Sequence, residues 1–390
     1  MDGASEHLRH AVGSYLRRLR EANGCTLREL AERTSRNGVK TGIARLNRIE
    51  RGETMPPLDL AQALFRSLGA SLGDTEEVLR LAQVGRDVDL SSRSVEELIE
   101  EGKEKRFLGF PFESMSLFEA AYDLLLLREA SIAPDTLAEV MILRADIYRL
   151  LRFYRMARDT IDGVLNMAGI SEKLRLHGML VKISVGYMTG SFFEAGLLAE
   201  KAGSMLEDAE PWLRAFGHAV IGNLHFRQNS HGKAIPFLER ARRGYQDLAL
   251  GYQASQVAVF LGYCHCQAKH LEGGRSLIKR AYGEARKKRY PEVAACALRM
   301  LGRVDLEKGQ AEEAAAYLSK AAEVAHRLGI PEEEFMALFY LRRSEISRGE
   351  SSRAEKTLGR LRKIMIKVDG MLPERRALTE ELNQRGRANR

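Results

Sequence analysis

The feature that most restricts the fold is a set of small residues recurring every 40 positions. Ile221-Gly222, Leu261-Gly262 and Leu301-Gly302 stand at that interval, with Leu341-Arg342 in the fourth place. Twelve residues beyond each glycine position come Ala234, Gly274, Ala314 and Ala354; Leu238, Ile278, Leu318 and Leu358 follow, then Ala241, Ala281, Ala321 and Leu361. Small residues at fixed offsets let two antiparallel helices approach closely, and the same offsets in successive units let the pairs stack. Going backward, Ala195 and Ala157 mark earlier units at intervals of 39 and 38 residues, and Phe118-Glu119-Ala120 with Leu124 and Leu127 begins another. From about residue 95 there is almost no strand signal, so six or seven helical pairs are expected, with turns at Gly190, Asn229, Gly309 and Gly349. Residues 373 to 390 read as the polar capping helix that such an array requires, ending in a frayed basic tail, Arg385-Gly386-Arg387-Ala388-Asn389-Arg390.

The first eighty residues carry a different pattern. Thr26-Leu27-Arg28-Glu29 is a capping box that predicts a helix from Leu27. Leu30 and Ala31 give it an apolar face, and Thr34-Ser35-Arg36-Asn37-Gly38 breaks it. A second helix is expected from Gly42 to Arg51, with Ile43, Leu46 and Ile49 inward and Thr41, Ala44, Arg45, Asn47, Arg48 and Arg51 outward; Gly52 ends it. Before this pair, residues 7 to 22 read as a helix with Val12, Leu16 and Leu19 inward and Arg9, Arg17, Arg18 and Arg20 outward. After it come helices over 58–68 and 74–81. Residues 84 to 94 lose the periodicity and form a linker, and Ser94-Val95-Glu96-Glu97 opens the next helix with a second capping box. Between Arg33 and Arg51 six basic side chains (Arg33, Arg36, Lys40, Arg45, Arg48, Arg51) face one carboxylate, Glu50. Arginine and asparagine carry the donors and acceptors that read guanine and adenine edges in the major groove.

Residues 8 to 82 resemble the Xre/Cro type of bacterial helix-turn-helix domain. The likeness rests on Leu16-Arg17-Arg18-Leu19-Arg20, Thr26, Leu30-Ala31, Ile49-Glu50-Arg51-Gly52 and Pro56-Pro57-Leu58. The family has about five fewer residues between its Leu-Ala pair and the closing Glu-Arg-Gly, so the insertion here lies within Arg33 to Lys40. The resemblance implies a five-helix, lambda-repressor-like domain that binds double-stranded DNA as a homodimer on two half-sites. Carried onto this sequence, the DNA-binding residues are Arg17, Arg18, Arg28, Arg36, Lys40, Thr41, Arg45, Asn47 and Arg48.

The 40-residue units resemble tetratricopeptide repeats, whose usual period is shorter, so longer helices or loops are expected. In such arrays the first helix of each pair lines a groove. Counted from the small-residue register, that groove would present Tyr187, Asn223, Phe226, Arg227, Tyr263, Gln267, Arg299, Arg303, Phe339 and Arg343. Asn and Gln suit a peptide main chain, and the arginines suit a carboxylate. Tyr187, Asn223, Arg227, Tyr263, Gln267, Arg299, Arg303 and Arg343 are therefore the expected effector-binding residues, with an anionic or carboxylate-ended ligand favoured.

The organisation expected is all-α: residues 1–83 a DNA-binding domain, 84–94 a linker, 95–372 an α-solenoid of tetratricopeptide-like pairs, and 373–390 a capping helix and basic tail. Of other chemistry there is little sign. Cys264-His265-Cys266 with His270 is not a metal site on a helix, because side chains two apart point roughly 200° away from each other. Gly38-Val39-Lys40-Thr41-Gly42 lacks the spacing and the preceding strand of a phosphate loop. No H-E-x-x-H or G-x-S-x-G occurs, so neither an enzyme nor a cofactor is expected. Arg240, Arg280, Lys320 and Arg360 share one place in four successive units, a row that reads as a solvated face or a docking strip for an acidic partner. With 390 residues and 45% apolar content the chain can bury a full core, and a net charge of +8 suits a polyanionic partner. Apolar runs such as Leu124 to Leu127 are far short of a membrane span, and no signal-peptide core stands at residues 1–20, so a cytoplasmic protein is expected. Four dispersed cysteines suit a reducing compartment.

Together these readings give a transcriptional regulator similar in architecture to the peptide-responsive quorum-sensing regulators. The alternative is an adaptor whose repeats recruit a folded partner and whose helix-turn-helix tethers it to DNA.

Overall fold

A computed structural model describes residues 9, 12–17, 19–21, 23–69, 88, 93–127, 133–368 and 372–388. All regular structure among them is helical, as the sequence led us to expect. The chain forms two compact units, one of residues 1–106, 110–132 and 143–160, the other of residues 107–109, 133–142 and 161–390.

In the first unit residues 12–17 and 19–21 are helical, followed by α1 (Leu27–Arg36), α2 (Ile43–Glu50) and α3 (Leu58–Ser67). The helix expected over 74–81 and most of the expected linker lie outside the described residues. Val12, Leu16, Leu30, Leu46, Ile49, Leu60, Leu64, Phe65 and Leu68 form the core of this small bundle. Gly13 is required where it stands: a Cβ there would press on the Ile49 carbonyl, so the leading helix can lie directly on the C-terminal end of α2. Further along, α4 (Val95–Leu108) starts at the Ser94–Glu97 capping box, in which the Ser94 N–H donates to Glu97 at 2.8 Å and Glu97 N–H donates to the Ser94 hydroxyl at 3.1 Å. Its Gly102 lets α5 (Pro111–Leu127) close in, with the Phe118 ring over the glycine and Ser114 Oγ donating to the Gly102 carbonyl at 2.8 Å. Next in the chain are α6 (Pro134–Leu150) and α7 (Tyr154–Leu165).

The second unit is built from pairs: α8 (Glu172–Thr189) with α9 (Phe192–Met205), α10 (Pro211–Arg227) with α11 (His231–Asp247), α12 (Gly251–Gln267) with α13 (Leu271–Lys287), α14 (Pro291–Glu307) with α15 (Ala311–Arg327), and α16 (Pro331–Ser347) with α17 (Ser351–Met365). A closing helix, α18 (Pro373–Ala388), stays helical where a frayed tail was expected at 385–388; residues 389–390 lie outside the described residues. From α10 to α16 every helix has 17 residues, and from α11 onward each of these begins 20 residues after its predecessor, so the longer period lengthens the helices and not the loops.

The small residues do what the register demands. A Cβ on Gly222 would meet the Leu238 side chain at 2.7 Å, one on Gly262 would meet Ile278 at 2.7 Å, and one on Gly302 would meet Leu318 at 2.5 Å. Each first helix thus lies against its own second helix at the glycine. The fourth place holds Arg342, and there the pattern changes: its guanidinium is buried and donates to Glu381 of α18 at 2.8 and 2.6 Å. The arginine occupies the glycine's register but turns to the cap.

Every turn from α10 to α17 is closed by one left-handed residue, at Asn229, Ala249, Lys269, Arg289, Gly309, Gly329 and Gly349, with φ between 56° and 78°. The following N–H reaches back five residues in each case, from Ser230 to His225 O at 2.9 Å through to Glu350 to Glu345 O at 2.9 Å, the Schellman closure of a helix end. Gly190, Asn229, Gly309 and Gly349 had been expected as turns; Lys269 supplies the one in the unit between.

Candidate functional site

Two groups of side chains bear on function, one in each unit. In the first, α1 begins as predicted: Glu29 Oε2 accepts from the Thr26 N–H at 2.7 Å, and the Glu29 N–H donates to the Thr26 hydroxyl at 3.2 Å. The Thr26 N–H and hydroxyl hold the Glu29 carboxyl below its ordinary range. α1 runs to Arg36, and residues 37–42 form the turn that joins it to α2. That turn is fastened from outside. Asn37 Nδ2 donates to Ser67 Oγ of α3 at 2.8 Å, and the Val39 N–H donates to the Thr34 carbonyl at 3.3 Å. The turn that leads into α2 is therefore held by specific bonds to α1 and α3.

Arg28, Arg36, Lys40, Arg45 and Arg48 are exposed, while Thr41 and Asn47 are half-buried. Arg28 has only a loose contact with Glu32 at 3.7 Å, and no carboxylate lies in ion-pair range of Arg36, Lys40, Arg45 or Arg48 among the described residues. Arg17 is exposed and pairs with Glu21 at 2.9 Å; Arg18 lies outside the described residues.

Two expectations are corrected. Ile43 does not pack inward with Leu46 and Ile49; its side chain is 49% exposed. Residues six apart on a helix of 100° per residue stand 120° from one another, so once Ile49 and Leu46 face the core, Ile43 cannot. Arg20 is not an outward, phosphate-facing residue. It donates through Nε and Nη2 to the two oxygens of Glu50 at 2.7 and 2.8 Å, and through Nη1 to the Cys25 carbonyl at 3.0 Å. The one carboxylate of the basic run is thus taken up inside the domain, and the outer face of α2 is left cationic.

In the second unit helices α8, α10, α12, α14 and α16 carry the expected effector residues, and Tyr263, Gln267 and Arg303 join through Glu307 into one connected strip. Asn223 is half-buried, and its Oδ1 is enclosed with no donor. Arg227, also half-buried, rests on Met188 with Nη2 at 3.4 Å from the sulfur. The Tyr263 ring stands at the centre of an aromatic patch, 5.7 Å from Phe226 and 5.6 Å from His231. Its hydroxyl donates to Glu307 at 2.6 Å and accepts from Arg303 Nη2 at 2.8 Å. Gln267 is exposed and donates to the other Glu307 oxygen. Arg303 lies between two rings, 4.6 Å from the Tyr263 centroid and 4.7 Å from that of Tyr340, with its Nε lacking an acceptor. Burial works against its charge, but the Tyr340 and Tyr263 hydroxyls and Glu374 outweigh it and raise the arginine's pKa.

Other members are placed differently. Tyr187 is buried in the packing of α8. Arg299 is 3% exposed and spends its guanidinium on Glu333, at 2.5 and 3.2 Å. Arg343 is exposed, with its charge 6.0 Å from the Phe339 ring. The row of Arg240, Arg280, Lys320 and Arg360 is exposed, and Arg360 reaches Glu334 at 3.3 Å. Cys264 and Cys266 are buried free thiols, which burial pushes up to about 12 and about 11.

Three members of the strip were missed by sequence reading: Tyr340, Glu307 and Glu374. Glu307 shares the register of Arg227 and Gln267, so the 40-residue count would have found it. Glu374 comes from α18, which has no counterpart in the repeat. Tyr340 donates its hydroxyl to Glu374 Oε1 at 3.0 Å, while Oε2 is buried with no donor. Burial would raise this carboxyl's pKa, but Arg227, Arg303 and Arg299 outweigh it and hold the group below its usual range.

The first unit carries a recognised family. Residues 11–79 match the family described as a helix-turn-helix domain. No curated protein sequence matches the chain. Among solved structures the chain is similar to a Rap protein complexed with Competence and Sporulation Factor, at 17% identity and a TM-score of 0.60 over 70% of this chain and 77% of that one. It is also similar to aspartyl phosphate phosphatase F from Bacillus subtilis, at 12% identity and a TM-score of 0.50 over 93% and 94%. PlcR from Bacillus thuringiensis in complex with the peptide PapR7 and DNA aligns at 13% identity over 72% and 97%, with a TM-score of 0.42. The chain thus carries a helix-turn-helix domain over residues 11–79 and, beyond it, a domain of stacked helical pairs whose fold these structures share.

Proposed function

We propose that the protein is a sequence-specific, DNA-binding transcriptional regulator that acts as a homodimer and whose repeat groove senses a short peptide. The observation that carries the DNA half is the outer face of α2, where Arg45 and Arg48 stand exposed beside half-buried Asn47 while Glu50 is turned inward to Arg20. Those are the groups that read purine edges. The groove half rests on enclosed polar atoms that lack partners: Asn223 Oδ1 and Glu374 Oε2 want donors, and Arg303 Nε wants an acceptor. A peptide main chain supplies an N–H and a C=O at every residue, and the aromatic patch around Tyr263 offers a place for a side chain. The Rap protein of similar fold is complexed with Competence and Sporulation Factor, which agrees with a repeat domain that binds a ligand.

A ligand changes DNA affinity only through its different affinity for two packings of the repeat pairs, a coupling on the order of 1–3 kcal/mol. The test is to select bound fragments from sheared DNA of the source cell, then measure their affinity with and without pooled short peptides. We expect a pseudo-palindromic site occupied by two copies and an affinity that peptides shift. In an Asn223→Ala, Arg303→Ala double variant the site should persist and the shift should vanish. A short asymmetric site with one copy bound would refute the dimer, and an unchanged response in the double variant would refute the groove.

A further inference from the structure

The groove already contains a carboxylate, and it belongs to the chain. Glu374 is 7% exposed, hydrogen-bonded to Tyr340, and set in the field of Arg227, Arg303 and Arg299. It makes no ion pair within 4 Å with any arginine of the described residues, so its charge is balanced at a distance while its Oε2 and Arg303 Nε both go without partners. A carboxylate seated closer to Arg303 would satisfy that Nε–H and strengthen the interaction.

The helix that brings Glu374 in is thinly anchored. In the sequence of α18, PERRALTEELNQRGRA, Leu378 is fully buried and Leu382 packs at the edge of the last hydrophobic cluster. Its polar attachments among the described residues include Glu374 to Tyr340 and the arginine field, and Glu381 to Arg342. An element with so few buried apolar contacts opens locally at low free-energy cost.

We propose that Glu374 is a built-in occupant of a carboxylate site at the far end of the groove, and that a peptide bearing a free C-terminal carboxylate displaces it and undocks α18. The proposal rests on the reading of the groove as a peptide sensor. Two carboxylates cannot share one desolvated site without strong mutual repulsion, so the ligand's charge and that of Glu374 exclude one another. Displacement removes the Tyr340 tie, and of the contacts among the described residues Leu378, Leu382 and the Arg342–Glu381 pair stay in place.

The experiment uses the full chain, a fluorescent pool of random hexapeptides with free C-termini, the same pool amidated, and acetate as the small-acid control. The readouts are affinity and hydrogen exchange of residues 373–388. In the parent the free-acid pool should bind at least tenfold more tightly than the amidated one and accelerate exchange in 373–388, with acetate doing neither at equal concentration. E374Q should show faster exchange there without ligand and a tenfold gain in affinity for the free-acid pool. E381Q, which loosens the same helix away from the groove, should speed exchange but keep the parent's acid-over-amide preference. Should E374Q not fold, the parent's exchange response alone decides. If the free-acid pool binds parent and E374Q equally and exchange stays constant, the displacement is overturned and the peptide reading stands. If neither pool binds either protein, the peptide reading falls and the displacement with it. Acetate reproducing the response would replace a peptide with a small organic acid and overturn the peptide terminus as the ligand.

Discussion

The seven left-handed turn residues between α10 and α17 allow a prediction of unusual sign. Ala249, Lys269 and Arg289 hold φ of 56°, 69° and 58°, a region that costs an L-residue about 1–2 kcal/mol. All three side chains are exposed, so trimming them to hydrogen removes no packing. Glycine gives back part of the gain, about 0.5–1 kcal/mol, through its freer unfolded chain. The net is a stabilisation of roughly 0.5–1 kcal/mol for each of Ala249→Gly, Lys269→Gly and Arg289→Gly. Separate sites add, so the triple variant should gain roughly 2 kcal/mol. For a unit of this size that is about 4–8 °C in Tm. The mirror experiment is Ala at Gly309, Gly329 and Gly349, where a Cβ would meet nothing within 4 Å, so any loss is conformational. Urea unfolding followed by far-UV circular dichroism and by Trp212, the one tryptophan, measures both sets. Glycine variants that lose about 1 kcal/mol each, as glycine does inside a helix, would refute the reasoning.

Four other outcomes are expected. Arg20→Ala leaves Glu50 buried without its partner and should destabilise the DNA-binding domain by about 2–4 kcal/mol, whereas breaking the exposed Arg17–Glu21 pair should cost roughly 0.5 kcal/mol; equal effects in hydrogen exchange of residues 26–52 would contradict the pairing. Arg45→Ala should cost about 1–3 kcal/mol and relax sequence choice, while Arg28→Ala should weaken all sequences alike and lower the salt slope by about 1, as measured by competition binding. Ile43→Ser should leave stability unchanged but abolish discrimination for thymine over uracil at one position of the site, since an exposed aliphatic group at the start of α2 suits the thymine methyl; binding to uracil-substituted DNA reads this out. His218, His225, His231 and His265 are held below 6.5, chiefly by burial, so the unfolded chain takes up their protons more readily. Their contribution is complete above 6.5 and is lost as the pH falls from there toward the folded values; the Trp212-monitored midpoint should drop between pH 7 and 5, and a double His218→Asn, His225→Asn variant with an equally steep drop would count against it.

What could be read from the sequence followed from what repeats. Gly222, Gly262 and Gly302 are visible because close helix packing tolerates nothing larger, and the same spacing fixed the helices on either side. Ala249, Lys269 and Arg289 gave no sign of their turns, because the Schellman closure imposes the left-handed backbone there whatever the side chain. Arg20 was misread since a helical wheel registers only that arginine is polar, and its partner Glu50 stands thirty residues away on another helix. Ile43 was misread by counting threes along a helix of 3.6 residues per turn. The repeat count put Asn223, Tyr263 and Arg303 in one register but could not reach Glu374, which lies on α18, outside that register, and meets Tyr340 across 34 residues of chain.

The even spacing of the turns bears on how such a gene can change. A recombination event that deletes or duplicates forty codons anywhere between those of Asn229 and Gly329 rejoins a groove helix to an outer helix, each glycine still facing its leucine or isoleucine. An event of twenty codons puts bulky residues where the glycines stand and destroys the stack. The array can therefore lengthen or shorten by whole units, carrying the groove with it, but only upstream of Arg342. A unit inserted after that arginine would separate it from Glu381 and leave its charge buried without a partner, so growth of the lineage is blocked at that end.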